Sequence, residues 1–290
     1  MMNNIRVGGI IVTYNTGFSL INTYESIVNQ VDILVFVDNG SDNITINLIN
    51  KICSENIKCK IIANDINYGI AKALNQGIKY LMNYDVDFIL TLDHDSIAEN
   101  EMIKKMISIY EKLKIKYKIG ILSPAIFDIN KNDYLTCVNE AEYQLIKEPI
   151  QSGSLIKSDF IKEVGLYNED LFIYYVDTDL CYRGIEKGYK MIQCNKVILN
   201  HEEGKKSEFK ILKKKVYYNN YNEFAIYYRA RNNIYMLKKY KRKFSSKDRL
   251  LKDAIKIIIF DKKRFKSLKA HFKGIFKGII EKWDFKEVID

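Results

Sequence analysis

The sequence predicts an α/β protein. A βαβ half with a mostly parallel central sheet comes first, then a mixed half, then a helical C-terminal extension. Three observations carry this reading. Short β-branched runs alternate with amphipathic stretches of helical length over the first 116 residues. Each of the first four runs closes on a polar cluster. From residue 119 the alternation stops, and strand-like runs follow one another across short loops.

In chain order, strands are expected over residues 5–14, 33–37, 60–63 and 87–92, with helices over about 18–29, 43–55, 69–83 and 99–116. Strands alternating with helices of this length form βαβ units, and such sheets bind ligands beyond the carboxyl ends of their strands. Four polar strand ends at one sheet edge therefore point to a site, although Asn, Asp, Gly and Ser also suit ordinary tight turns. Further strands are expected over 119–127, 135–138, 150–156 and 190–200, and helices over 158–165 and 176–187. After residue 205 the chain is rich in Lys, Tyr and Asn, then helical to its end. One large domain over 1–235 and a basic amphipathic helical extension over 236–290 are expected.

The chain has 290 residues, 47% of them apolar, enough for a sizeable core. With 28% charged residues and no run of eighteen apolar ones, no spanning helix is expected. Residues 1–15 read as a first strand rather than a secretory leader. Five cysteines without a Cys-x-x-Cys pair read as free thiols in a reducing cytoplasm, not as a zinc site. The net charge of +10 hides a division. Residues 1–204 hold 20 Lys+Arg against 27 Asp+Glu (−7), and residues 205–290 hold 26 against 9 (+17).

Asp93-His94-Asp95 stands at a strand end. Residues two apart in extended backbone point to one side, so the two carboxylates offer a hard-oxygen site for Mg²⁺ or Mn²⁺ that leaves room for substrate phosphates. The same pattern is common in loops, and His94 is open to a bystander reading. Asp38, followed by Asn39-Gly40-Ser41, can accept a hydrogen bond from an N–H on a pyrimidine edge, and Thr13, Tyr14 and Asn15 are placed to frame the same ligand. No Gly-x-Gly-x-x-Gly follows the first strand and no P-loop motif is present, which argues against a dinucleotide dehydrogenase and a P-loop NTPase. Asp177 and Asp179 open a helix. Either they serve the helix N-terminus electrostatically, or Asp177 is a general base for an attacking hydroxyl. His201 follows a strand-like run. A lone His is usually structural, but the chain has only three.

Taken together, these residues resemble glycosyltransferase family 2, the inverting GT-A enzymes. The similarity runs over about residues 6–235. It is carried by Val12-Thr13-Tyr14-Asn15, Val37-Asp38-Asn39-Gly40-Ser41, Asn67-Tyr68-Gly69-Ile70-Ala71 with Ala73-Leu74-Asn75-Gln76-Gly77, and Leu92-Asp93-His94-Asp95-Ser96. It continues through Ser152-Gly153-Ser154-Leu155-Ile156, the segment 165–177, and His201 to Gly204. Within the family the chain looks most like the bacterial rhamnosyltransferases, from Asp-His-Asp-Ser, Ser-Gly-Ser-Leu-Ile, Leu171-Phe172-Ile173 before Val176-Asp177, and Arg231-Asn232.

The resemblance implies that residues 1–235 are the catalytic domain and that Asp177 is the base. It implies that Asp38 binds the nucleotide base, and that Asn67, Gly69, Asp93 and His94 lie along the nucleotide sugar. Asp93, Asp95 and His201 would hold the metal and diphosphate; Gln151, Ser152 and Gly153 would lie near the acceptor. A dTDP- or UDP-linked donor follows, with L-rhamnose from dTDP-rhamnose the first candidate. The acceptor would be a hydroxyl of a glycan or lipid-linked saccharide in surface polysaccharide biosynthesis of the cell envelope. Val176 stands where a Glu is often found before the base, Tyr174 where an Asp is common, and Leu180 where a Trp is common. These departures weaken the assignment to rhamnose but leave the key acids untouched.

Two other readings compete. A metal-dependent sugar nucleotidyltransferase would need a glycine-rich basic loop near the first strand, and none is visible. A nucleic-acid-binding protein using the basic C-terminal part would leave the acidic two-thirds without a role. No nucleic-acid partner is therefore expected, and a homo-oligomer stays open. In residues 250–283, Phe265, Leu268, Phe272, Ile275, Phe276, Ile279 and Ile280 form a helical apolar stripe with Lys263, Lys266, Lys269, Lys273 and Lys277 between them. This pattern suits either an anionic membrane surface on the inner face of the cell membrane or packing against protein.

Overall fold

The structure is a computed structural model that describes residues 5–201, 206–211, 214–244 and 248–285. The chain divides into two compact units: residues 1–169 with 176–202, and residues 170–175 with 203–286.

The first unit is built on strands β1 (Val7–Thr13), β2 (Ile33–Asp38), β3 (Cys59–Ala63), β4 (Phe88–Asp93), β5 (Ser96–Ala98), β6 (Ile119–Asp128), β7 (Asp133–Tyr134), β8 (Tyr143–Ile146), β9 (Ser154–Lys157) and β10 (Lys190–His201). Its helices are α1 (Leu20–Ile27), α2 (Asn43–Glu55), α3 (Ile70–Met82), α4 (Met102–Leu113), α5 (Ser158–Val164) and α6 (Val176–Glu186). The sheet runs β3-β2-β1-β4-β9-β6-β10-β5, with β7 on β6 and β8 on β10. Strands β3, β2, β1 and β4 are parallel. β9 is antiparallel to β4 and β6, and β5 and β8 are antiparallel to β10, which makes the second half mixed as expected.

Of the parallel strands, β1, β2 and β4 are buried along nearly their whole length, which is why they read as continuous apolar runs rather than alternating ones. Leu34, Phe36, Leu90 and Leu92 face Leu20, Ile27, Ile49, Met102 and Met106 of α1, α2 and α4 in one core. Register sets the site. Thr13 lies opposite Asp38, and Val12 opposite Asp93, so the polar ends of β1, β2 and β4 share one edge. β5 then pairs with β10 so that Ser96 is opposite His201, across 105 residues of sequence.

Two expectations are corrected. The strand expected over 135–138 is absent: Leu135 N–H donates to Ile126 O, but the Ile126 N–H donates to the Thr136 hydroxyl at 3.1 Å, so a side chain interrupts the ladder. Strand pairing occurs instead at β7 and β8. The strand expected from residue 150 begins at Ser154, because Ser154 N–H closes a turn onto Gln151 O. The domain boundary expected at 235/236 falls inside a helix.

That helix, α7 (Glu223–Tyr240), belongs to the second unit with the antiparallel hairpin β11 (Lys206–Ile211) and β12 (Lys214–Asn219), and with α8 (Arg249–Phe260) and α9 (Arg264–Ile280). Ile226, Ile257 and Ala270 form its small apolar core, with Tyr221, Tyr227 and Leu268 packed around them. The Asn222 side chain caps α7 by accepting from Ala225 N–H at 2.8 Å.

In the first unit, one buried amide ties the chain approaching α6 to α3. Asn75 Nδ2 donates to Tyr167 O at 2.9 Å and to Glu169 Oε1 at 3.0 Å, while its Oδ1 accepts from Tyr167 N–H at 2.9 Å. Asn75→Leu leaves both Tyr167 backbone groups buried without partners. Urea unfolding should show a loss of about 2–4 kcal/mol; a change below about 0.5 kcal/mol would mean these bonds do not hold the segment.

Candidate active site

The first wall of the site is a set of loops knotted by side chains. Asp38 is fully buried: Oδ1 accepts from the Thr13 hydroxyl at 2.8 Å, and Oδ2 accepts from Gly40 N–H at 3.1 Å and Ser41 N–H at 2.9 Å. Gly40 has φ of 81°, and a Cβ there would lie 2.7 Å from the Ile66 carbonyl carbon, so the next loop packs directly on this turn. Asn15, with φ of 53°, receives Asp42 N–H on its Oδ1 and gives its own N–H to Ser41 Oγ. Asn39 Nδ2 donates to Asn67 Oδ1 and Gly69 O, and its Oδ1 accepts from Tyr68 N–H. Asn67 Oδ1 also accepts from Gly69 N–H. Thr13, Asn15, Asp38, Asn67 and Gly69 are thus brought into one connected rim, with Tyr14 half exposed on it. Asp38 has no exposed surface, and its visible work is to shape residues 39–41.

The second wall is acidic. Ligand atoms of Asp93, Asp95 and His201 all lie within 4.8 Å of one another. Three neighbours hold them. Ser152 Oγ accepts from Asp93 N–H at 3.0 Å and lies 2.7 Å from Ser96 Oγ. Ser96 Oγ lies 3.0 Å from His201 Nδ1. The Thr23 hydroxyl donates to His94 O at 2.7 Å, fixing the turn between the acids; the His94 side chain is half-buried. His201 Nδ1 is 3.4 Å from Asp95 Oδ1.

Two features fit a divalent cation. Asp95 Oδ1 is buried and accepts no hydrogen bond among the described residues. Asp93 is pushed up to about 6, first by burial, then by the neighbouring Asp95 charge; His201 pulls it down and Asp177 adds to the rise. Two carboxylates and an imidazole with excess negative charge suit Mg²⁺ or Mn²⁺ in a site partly completed by substrate oxygens.

The acids that open α6 separate into two roles. Asp179 is buried against Arg183, Oδ2 to Nε at 2.9 Å, and Arg183 also donates to Val164 O and Leu166 O. This pair is structural. Asp177 has no cationic partner among the described residues; its Oδ1 accepts from Thr178 N–H at 2.8 Å. Burial raises its pKa, with Glu148 adding to the rise. A carboxylate raised this way is a stronger base once ionised. Of the residues expected near an acceptor, Ser152 is buried under Asp93 and supports it, and Gly153 N–H donates to Thr91 O at 2.8 Å. Gln151 O accepts from the Thr91 hydroxyl at 2.6 Å, while its Nε2 is buried with no hydrogen-bond partner among the described residues. Glu202, Glu203 and Gly204 lie outside the described residues.

Sequence reasoning missed the supporting groups Ser96, Asn39, Glu148 and the clamp on the loop before α6. In the second unit, Phe172, Tyr174 and Tyr175 have φ of 60°, 65° and 62°, a region that bulky residues rarely enter. Asn232 Nδ2 is shared among Leu171 O, Ile173 O and Tyr174 O at 2.8, 2.7 and 3.0 Å, Asn233 Nδ2 donates to the Tyr175 hydroxyl, and Arg231 donates to Asp170 O. The signal was the Arg231-Asn232 pair, visible in the sequence without its purpose.

Comparison with known proteins follows the same lines. Residues 10–140 match the family model described as Glycosyl transferase family 2. The dTDP-rhamnosyl transferase RfbF of Shigella flexneri is 27% identical over 218 residues, covering 70% of this chain and 71% of that protein. The solved structure of GalNAc-T7 with UDP, GalNAc and Mn²⁺ is similar with a TM-score of 0.64 at 16% identity over 97% of this chain, which spans 57% of that chain's length. The mannosyltransferase PcManGT from Pyrobaculum calidifontis, in complex with GDP-Man and Mn²⁺, gives 0.59 at 12% identity, with 97% of this chain and 77% of that one covered. The fold is GT-A, as expected, and the resemblance to family 2, on its rhamnosyltransferase side, is borne out.

The electrostatics of the acidic wall are open to titration. A folded-state pKa above the unfolded one favours the fold while the group is protonated, so this contribution is present below about pH 4 and lost as pH rises through about 6. Metal-free Asp93→Asn should therefore melt above the unsubstituted protein at neutral pH, with the difference vanishing toward pH 4. Equal melting temperatures at neutral pH would show that Asp93 is not under this strain. Separately, Asn232→Ala should speed amide hydrogen exchange over residues 171–176; unchanged exchange would mean that the shared amide does not hold the loop.

Proposed function

We propose that this chain is an inverting, metal-dependent glycosyltransferase. It would move a hexose, with L-rhamnose from dTDP-rhamnose the first candidate, from a nucleotide-sugar donor to a hydroxyl of a glycan or lipid-linked saccharide. Its place would be the cytoplasmic side of the cell membrane, in surface polysaccharide biosynthesis. The observation that carries the reading is the joint presence, at the carboxyl ends of β4 and β10, of Asp93, Asp95 and His201, with Asp95 Oδ1 buried and accepting no hydrogen bond among the described residues, and with Asp177 close enough to raise the Asp93 pKa. The family 2 match over residues 10–140 and the identity to a dTDP-rhamnosyl transferase support the reaction class and the donor.

In this reading the loops tied by Asn39 and shaped by Asp38 hold the nucleoside. Tyr14 lines it in front of the buried Thr13, which holds Asp38, and Asn67 and Gly69 close its far side. Asp93, Asp95 and His201 would hold Mg²⁺ or Mn²⁺, which when bound neutralises charge on the diphosphate. Ser152 and Ser96 keep those groups in register, and Gln151, whose buried amide has no hydrogen-bond partner among the described residues, would offer it to the acceptor. Asp177 takes the proton of the acceptor hydroxyl. That oxygen bonds to the anomeric carbon as the bond from this carbon to the diphosphate oxygen breaks, and the nucleoside diphosphate departs. Attack from the face opposite the leaving group inverts the anomeric configuration.

Asp177→Asn should lower transfer by about 10³-fold while leaving donor binding intact; near-normal turnover removes Asp177 from the base role. Asp95→Ala should weaken Mn²⁺ binding at least about 100-fold, read by titration calorimetry, and full activity in excess chelator would refute the metal assignment. The donor itself is read by thermal shift against dTDP-, UDP- and GDP-sugars with and without Mn²⁺. The true donor at 100 times its Kd should add about 2.7 kcal/mol of stability. If no sugar nucleotide shifts the melting temperature, the reading falls.

A further inference from the structure

We propose that α9, with its neighbour α8, is a docking surface for an anionic lipid bilayer. This deepens the reading above by naming the surface that a lipid-linked acceptor would require, and its test reads vesicle binding alone, so the two can fail separately.

The argument begins with how α9 packs. Its buried residues are Ser267, Ala270, His271, Gly274 and Gly278, which at 100° per residue fall on one side of the helix. A Cβ at Gly274 would lie 2.3 Å from Tyr227 O, and one at Gly278 would lie 2.7 Å from Arg231 O. The small face is thus pressed against the α7 backbone, and no larger residue fits there. The large residues are left on the opposite side. Phe265 is 84% exposed, Phe272 59%, Phe276 63%, Ile279 55% and Ile280 55%. Intervals of 7, 4, 3 and 1 residues place them on one stripe. On α8, Leu251, Ile255, Ile258 and Ile259 repeat the pattern, 67%, 46%, 50% and 58% exposed. An exposed apolar stripe of this kind is rare on a surface that meets only water.

Charge selects the occupant. Lys269 lies within the α9 stripe, Lys273 and Lys266 flank it, and all three are exposed. Over residues 248–285 there are 11 Lys+Arg against 5 Asp+Glu. A second copy seated on the stripe through a two-fold interface would bring these lysines against their own equivalents. Anionic headgroups instead pair with them while the Phe and Ile side chains enter the acyl boundary. Among the described residues no helix is long and apolar enough to cross a membrane, so α9 would lie in the interface plane.

The test is flotation of the full chain with vesicles of phosphatidylcholine alone, and of three parts phosphatidylcholine to one part phosphatidylglycerol. Binding is expected to the second and to weaken with salt. Phe272→Ser/Phe276→Ser and Lys266→Glu/Lys269→Glu should each reduce it by roughly tenfold or more, with melting temperatures unchanged to show that the variants fold. No binding to anionic vesicles, equal binding to neutral ones, or equal binding by both folded variants overturns the proposal. So does a concentration-dependent dimer of the unsubstituted chain in light scattering that Phe272→Ser/Phe276→Ser abolishes, since the stripe would then belong to a second copy.

Discussion

The acidic centre depends on one strand pairing. Two carboxylates at the end of β4 are a common arrangement and bind little alone. What turns them into a three-ligand cluster is the short antiparallel contact of β5 with β10, which sets Ser96 opposite His201. β10 reaches that position only after an irregularity between Cys194 and Ile198 shifts its register on β6. Ser96 then serves both sides, meeting His201 Nδ1 and Ser152 Oγ, so that the imidazole, the Asp-x-Asp turn and the loop before β9 share one hydroxyl. A slip of one residue in this pairing would turn His201 to the other face of the sheet.

The same centre is costly to keep. Asp93 and Asp95 repel one another where water is scarce, and Asp177 adds to the field. Three residues just ahead of α6 sit at positive φ without being glycine. Local strain and like charge of this kind persist only where surrounding bonds over-determine them. For the residues at positive φ that bond is the Asn232 amide on three carbonyls. In the first unit the Asn75 amide holds Tyr167.

Much of this is legible in the sequence. The βαβ half follows from apolar runs of strand length between helical periods, and α2 occupies the expected residues 43–55. Asp93 and Asp95 are picked out by residue type and position and His201 by the family resemblance, and the three do meet. What the chain does not display is pairing over long separations. The Ser152–Ser96–His201 chain joins residues 56 and 105 apart, and Asn232 reaches back 61 to Leu171. Burial was also hidden: Asp38 looks like a ligand contact by type, yet local N–H groups and Thr13 consume it. The strand expected over 135–138 failed because Thr136 offers a side-chain acceptor that propensity does not count. On α9 the apolar stripe was plain, whereas its outward direction was decided by the small residues opposite.

The shared-ion centre is tested most directly by anomalous diffraction from crystals grown with Mn²⁺ and a nucleoside diphosphate. A single manganese peak is expected within about 2.5 Å of Asp95 Oδ1 and of a ring nitrogen of His201, with diphosphate oxygens completing the shell. A peak bound elsewhere, or full nucleotide density with no manganese between these side chains, would contradict it.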